Sequence, residues 1–231
     1  MKQKVGFREN ESIADYQEMM SAVYSIPDDR AFSISDLLSH QARFTMRALK
    51  GIRKGDMKKL KNNLVVSLSW VATISNRLHI DMQAALWRRF PHLCSYCGSC
   101  PCLCKREKII KRAKVNHSRA NMPKTMQEFQ KMFQKIYPPK NRSLADAGIH
   151  LAEETGEMTE SIHNFLGQHK RKQFESIELE IADWISCMFG LANSAGFDLA
   201  SESAKYFASG CHICHHTPCS CNFSYIADFK S

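Results

Sequence analysis

The chain of 231 residues has no run of 18 apolar residues, so no segment suits a membrane-spanning helix. Its opening, MKQKVGFRENES, lacks the apolar stretch of a secretory leader, and a cytoplasmic protein is expected, with no membrane partner. Proline and glycine are sparse, at 7 and 10 residues. No stretch alternates with period two, which argues against half-buried strands. Acidic residues are in deficit: 23 Asp and Glu face 32 Lys and Arg, leaving a charge of +9. That excess favours phosphate-bearing partners, whether nucleotide, nucleic acid or lipid headgroup, without choosing among them. Hydrophobic residues at 44% and charged residues at 24% exclude a disordered chain. The length allows one or two domains with a sizeable core.

Cysteine, by contrast, is abundant. Nine of ten cysteines fall in two clusters, Cys94-Ser-Tyr-Cys97-Gly-Ser-Cys100-Pro-Cys102-Leu-Cys104 and Cys211-His-Ile-Cys214-His-His-Thr-Pro-Cys219-Ser-Cys221. Both contain C-x2-C-x4-C-x-C at an offset of 117 residues, which also pairs Ser69 with Ser186, Asn76 with Asn193, Asp81 with Asp198 and Phe90 with Phe207. The chain therefore reads as two copies of one unit. The first spans 10–104 and the second 122–222, joined by a basic segment at 105–121 and followed by a tail at 223–231. The simplest reading of the joining segment is a solvated connector rather than a nucleic-acid contact.

Each copy reads as all-helical. Helices are expected near 12–25, 31–50, 57–79 and 81–90, then near 124–137, 143–167, 172–196 and 198–208. Pro27, Gly55-Asp56, Pro138-Pro139 and the loop after Gly167 are the expected breaks, and Gly196 suits a helix C-terminal cap.

In the second copy Leu151, Met158, Ile162 and Phe165 form an apolar stripe, and Glu154 lies within it. Glu157, three residues on, shares its face, with Glu153 beside them. Ile177, Ile181, Ile185 and Met188 form the next stripe, flanked by Glu180 and Asp183. A lone glutamate is ordinarily a solvated surface residue. Here ExxE, ExxD and the 23-residue separation of Glu157 and Glu180 point four carboxylates into a bundle. Such a group needs a compensating cation, and hard oxygen donors suit Mg²⁺ or Mn²⁺.

The segments His150-Leu-Ala-Glu-Glu154-Thr-Gly-Glu157-Met, Ile177-Glu-Leu-Glu180-Ile-Ala-Asp183-Trp and Leu191-Ala-Asn-Ser-Ala-Gly-Phe-Asp198-Leu resemble the MazG-like nucleotide pyrophosphohydrolases, of the all-α NTP pyrophosphatase superfamily. The resemblance covers about 126–208, and the first copy in degraded form. It implies hydrolysis of a nucleoside triphosphate (NTP or dNTP) to the monophosphate and pyrophosphate. It implies that Glu154, Glu157, Glu180 and Asp183 hold Mg²⁺, with Glu153 the candidate for orienting or deprotonating the attacking water. Lys170, Arg171 and Lys172 are candidates for pairing with the phosphates, and Trp184, Phe165 and Asn193 for contacting the base.

The first copy lacks these acids. At the 117 offset Asn63 stands for Glu180 and Val66 for Asp183. In the preceding helix the stripe Leu38-Thr45-Leu49-Ile52 matches best at an offset of 113, placing Gln41 for Glu154, Phe44 for Glu157 and His40 for Glu153. The 117 offset would place Leu37 and His40 at the two metal positions instead. Either way the first copy is expected to be catalytically silent. The resemblance implies dimers of such units, so the two copies are expected to form an internal pseudo-dimer with one live site, and a further homo-oligomer is compatible with this.

Cys94, Cys97, Cys102 and Cys104, and likewise Cys211, Cys214, Cys219 and Cys221, suit tetrahedral thiolate zinc sites, two in all and structural in role. An iron–sulfur cluster and a disulfide framework are the alternatives, and the expected compartment opposes the second. Cys100 is the unpaired extra, and Cys187 reads as an inert core thiol. The rival to an enzyme is a zinc-containing adaptor or sensor that binds nucleic acid or nucleotide without turnover. Four inward carboxylates argue against it.

Overall fold

The computed structural model describes residues 6–116 and 118–222, so the tail at 223–231 lies outside the described residues. Among the described residues eight α-helices form: α1 (Ile13–Ala31), α2 (Ile34–Lys54), α3 (Met57–Arg77), α4 (Met82–Arg89), α5 (Met126–Ile136), α6 (Leu144–Gln168), α7 (Arg171–Ala195) and α8 (Leu199–Tyr206). There is no strand among the described residues, and none of the helices is long and apolar enough to cross a membrane. The all-α class thus follows from sparse breakers and helical periodicity.

Local signals set the ends. Ser12, Ser33 and Ser143 each accept the backbone N–H of an aspartate three residues on (Asp15, Asp36, Asp146), whose carboxylate accepts the serine N–H in return. Gly55 and Gly196 close α2 and α7 in the left-handed conformation, at φ +67° and +72°. Pro27 does not end α1, which continues through it to Ala31. A proline inside a helix leaves the carbonyl four residues back without its donor. That carbonyl belongs to Val23, and it accepts the N–H of Cys219 at 2.7 Å.

The compact units are not the two copies. The described residues of Met1–Met82 and of Leu199–Ser231 form one unit, and Gln83–Asp198 forms the other. In the first, α2 packs along α3, with α1 and α8 also against α3. In the second, α6 packs along α7 with α5 beside it. Each copy's last helix and cysteine segment therefore belongs with the other copy's first three helices. The docking is the same in both. Cys102 N donates to Ile136 O at 2.8 Å as Cys219 N does to Val23 O. Phe90 packs edge-on against Tyr137, and Phe207 edge-on against the equivalent Tyr24.

Duplication extends to single hydrogen bonds. Gln17 Nε2 donates to Asn76 Oδ1 at 3.0 Å and Ile80 O at 2.7 Å. Gln130 Nε2 donates to Asn193 Oδ1 and Phe197 O at the same two distances. The second helices align differently from the expectation. The buried set of α2 is Leu37, Leu38, Gln41, Phe44, Thr45, Ala48 and Gly51. It coincides with Ala147, Gly148, Leu151, Glu154, Thr155, Met158 and Ser161, of which all but the partly buried Glu154 are buried in α6. The capping serines Ser33 and Ser143 share this register, an offset of 110 rather than 113. Phe44 thus stands for Glu154 and Arg47 for Glu157. A three-residue slip is nearly one helical turn, so it preserves most of an apolar stripe.

Candidate functional site

The carboxylates converge where α6 and α7 pack together. Glu154, Glu157 and Glu180 each bring an oxygen within 4.8 Å of the others'. Glu154 Oε2 and Glu180 Oε2 are buried and have no hydrogen-bond partner. Burial raises the Glu154 carboxyl to about 8, with Asp183, Glu157 and Glu180 adding to the shift and Arg89 opposing it. Burial, Asp183 and Glu157 likewise raise Glu180 to about 7, against Arg89 and Arg112. Like charges in a partly dehydrated site resist ionising together, and orphaned buried oxygens are costly. A divalent cation among hard oxygens would satisfy both demands, so this donor set fits one.

Asp183 is placed differently from the expectation. Arg89, at the end of α4, holds it by two hydrogen bonds, Nε to Oδ1 at 3.0 Å and Nη2 to Oδ2 at 2.5 Å. Both side chains are mostly buried, at 9% and 14% exposure, where a fork-shaped charge pair is strongest. Three expected ligands are therefore together, and the fourth is engaged by a guanidinium. Nothing in the local sequence around Arg89 signals this role, because the pairing spans 94 residues.

A cavity of about 500 Å³ opens onto this cluster. Glu154, Asp183 and Cys187 line it, together with Lys105, Arg106, Arg112, Arg142 and His150, which supply positive or polar wall. Tyr96 and Tyr137 add aromatic surface. Burial, then Arg142, lowers the His150 pKa and keeps the ring neutral. Burial, then Glu154, raises the Cys187 thiol, which stays protonated as an inert thiol should. Gly190 leaves room for Arg142: a Cβ there would stand 3.1 Å from Nη1. A shallower cleft shares Ser95 and Arg112 with this cavity and adds Arg88, Arg89 and Arg171.

The other expected site residues do not line the cavity, although Arg171 lines the adjoining cleft. Glu153 is exposed and does not line the cavity. Lys170, Arg171 and Lys172 are exposed at the start of α7, where Lys170 bonds Gln168 and Arg171 pairs with Glu175. Trp184 is fully buried and donates Nε1–H to Thr155 Oγ1 at 3.0 Å. Asn193 exchanges hydrogen bonds with Gln130. Trp184 is therefore a core side chain, and Asn193 is half-buried with its amide engaged by Gln130; neither lines the cavity. Phe165 packs against His169 and Phe174, 5.4 Å from each. The positive wall of the cavity comes instead from Lys105, Arg106 and Arg112, in the segment read from sequence as a connector, and from Arg142.

Both cysteine sets assemble. Cys94, Cys97, Cys102 and Cys104 bring their sulfurs within 4.8 Å of one another, as do Cys211, Cys214, Cys219 and Cys221. The pairs Cys94–Cys104, Cys97–Cys102, Cys211–Cys221 and Cys214–Cys219 are 3.8–4.0 Å apart. Tetrahedral zinc, with Zn–S near 2.3 Å, sets sulfurs about 3.8 Å apart. All ten cysteines are free thiols, so these clusters can hold zinc and are not a disulfide framework. A Cys219–Cys211 hydrogen bond lowers the Cys211 thiol to about 3. Tyr137 Oη donates to Cys94 Sγ at 3.5 Å, and Cys100 is exposed and stands apart.

No family model, no curated protein and no solved structure matches the chain.

Proposed function

We propose that the unit built on α5, α6 and α7 is a Mg²⁺-dependent nucleoside triphosphate pyrophosphohydrolase of MazG-like type, releasing pyrophosphate and the monophosphate. The observation that carries this reading is the juxtaposition of partnerless buried carboxylate oxygens with a basic, aromatic-edged cavity. An anionic ligand bearing a flat base fits such a wall. Glu154, Glu157 and Glu180 would hold the cation. When bound, Mg²⁺ supplies Lewis-acid stabilisation of phosphoryl charge and a more acidic water.

The chain's own groups do the rest. Arg112 and Arg142 bind and orient the phosphates as charge-assisted donors. Arg89 fixes Asp183 and balances part of the cluster's charge. His150, neutral and in the cavity wall, is better placed than the exposed Glu153 to accept a proton from water. The unit built on α1, α2 and α3 carries no such acids and is catalytically silent.

The test is pyrophosphate release from a panel of NTPs and dNTPs, with and without Mg²⁺, beside Glu180→Gln. Metal-dependent release that the variant loses is the expected result. If folded, zinc-loaded protein releases none from any nucleotide, the hydrolase reading fails and a binding protein takes its place.

A further inference from the structure

The first cysteine segment does more than close a chain end. Cys94, Cys102 and Cys104 line the cavity together with Tyr96, which lies inside the loop those thiols define. The basic segment that follows folds back onto this loop. Ala113 N donates to Tyr96 O at 2.9 Å, and the Arg112 guanidinium lies 5.4 Å from the centre of the Tyr96 ring. Gly98 makes the approach feasible. It holds φ +70°, and a Cβ there would meet the Ala113 side chain at 2.8 Å. On the other side Lys105, the residue after Cys104, reaches Asn141 O at 3.3 Å. Lys105 and Arg112 are thus tied to the cysteine loop at its two ends.

The second segment has the same fold but a different task. Cys211, Cys219 and Cys221 border a space of only about 40 Å³, lined by Tyr24, Phe44, Val66 and Trp70. The duplication therefore supplies an internal control.

We infer that zinc in the first cysteine segment is a structural part of the polyphosphate site, ordering the wall that carries Lys105 and Arg112, whereas zinc in the second segment has no part in ligand binding. This rests on the nucleotide reading above. Four thiols without a cation do not fix a loop of this kind, because most of the order in small four-cysteine segments comes from the metal.

The test is calorimetric binding of tripolyphosphate and of α,β-methylene-ATP, in Mg²⁺, to the zinc-loaded full chain. It compares wild type, Cys97→Ser and Cys214→Ser, with zinc counted in each sample. Cys97 is not itself in the cavity lining. Cys97→Ser is expected to lose one zinc and at least about tenfold in affinity, while Cys214→Ser loses one zinc and keeps its affinity. Arg112→Ala, which leaves all thiols in place, is expected to keep both zincs and weaken tripolyphosphate binding by about tenfold, guarding against misfolding of the cysteine variant. Unchanged affinity in Cys97→Ser with one zinc missing would overturn this inference while leaving the nucleotide reading standing, and unchanged affinity in Arg112→Ala would overturn it together with the phosphate role given to Arg112. Absence of binding by wild type would overturn both.

Discussion

The two units enclose equivalent cavities with opposite contents. Around the open one stand Glu154, Asp183 and Cys187, and Gly190 of α7 lies behind Arg142 of its wall. The registers set by buried residues and by the 117 offset place Phe44, Val66, Trp70 and Thr73 at the same positions, and these line the small space in the other unit. Arg89, which holds Asp183, is matched by Tyr206. Where the carboxylates are absent, large apolar side chains fill the volume. Phe44 and Val66 are nearly inaccessible, at 2% and 1% exposure. Burying such groups stabilises by about 1.5–3 kcal/mol each, whereas a buried charge cluster of similar volume gains little or costs stability. The comparison teaches that one helical frame can support either an open, charged cavity or a packed core, and that a few positions decide which.

The largest expected difference between the units is in turnover. Glu180→Gln should lower pyrophosphate release by more than about 100-fold with the helical circular dichroism spectrum intact. Its counterpart Asn63→Ala removes a 2.6 Å hydrogen bond to Lys59 O, costs about 1 kcal/mol of stability, and should leave turnover unchanged. A collapse of turnover in Asn63→Ala would end the division into live and silent units. Next in size is Arg89→Met, which leaves Asp183 without its cation among acids already hard to ionise. Without divalent ions the variant should lose about 3 kcal/mol, measured by urea unfolding, and Mg²⁺ should restore more stability to it than to wild type. Tyr206→Met, at the position that matches Arg89, should show no such magnesium-dependent recovery. Equal magnesium responses in Arg89→Met and wild type would remove Arg89 from the cluster's charge balance.

Much of this contrast was legible in the sequence. Periodicity and sparse breakers gave the helices, most to within a few residues, and the 117 offset paired α3 with α7 and one cysteine segment with the other. Cysteine spacing alone gave both tetrads. The alignment of α2 with α6 was not legible, because a three-residue slip keeps Leu38, Thr45 and their neighbours on an apolar face. Pro27 misled because the donor that replaces its missing N–H is Cys219, far along the chain. The exchange of terminal segments is invisible for a deeper reason. Both copies present the same docking chemistry, with Tyr24 matching Tyr137 and Val23 matching Ile136, so no pattern tells which partner a segment chooses. Arg89 and Arg112 reach the site only through that exchange and through the folded-back connector.

The smallest expected effect concerns a buried charge in the unit built on α1, α2 and α3. Asp28 is 3% exposed, and burial raises its carboxyl to about 7. A hydrogen bond with Thr73 and the charge of Arg77 oppose the shift, while Asp29 and Cys211 add to it. The folded state therefore binds more protons than the unfolded one between the ordinary value near 4 and about 7. Stability contributed by the protonated form is fully present below pH 4 and is lost as pH rises through 7. Asp28→Asn keeps a partner for Thr73 and cannot ionise. It should be more stable than wild type by about 2 kcal/mol at pH 8, with the difference vanishing near pH 4. Denaturant unfolding across that range measures it. A variant less stable than wild type at pH 8 would mean that the Asp28 charge is itself held by Arg77, and that the silent cavity has kept an ionic role that its apolar lining conceals.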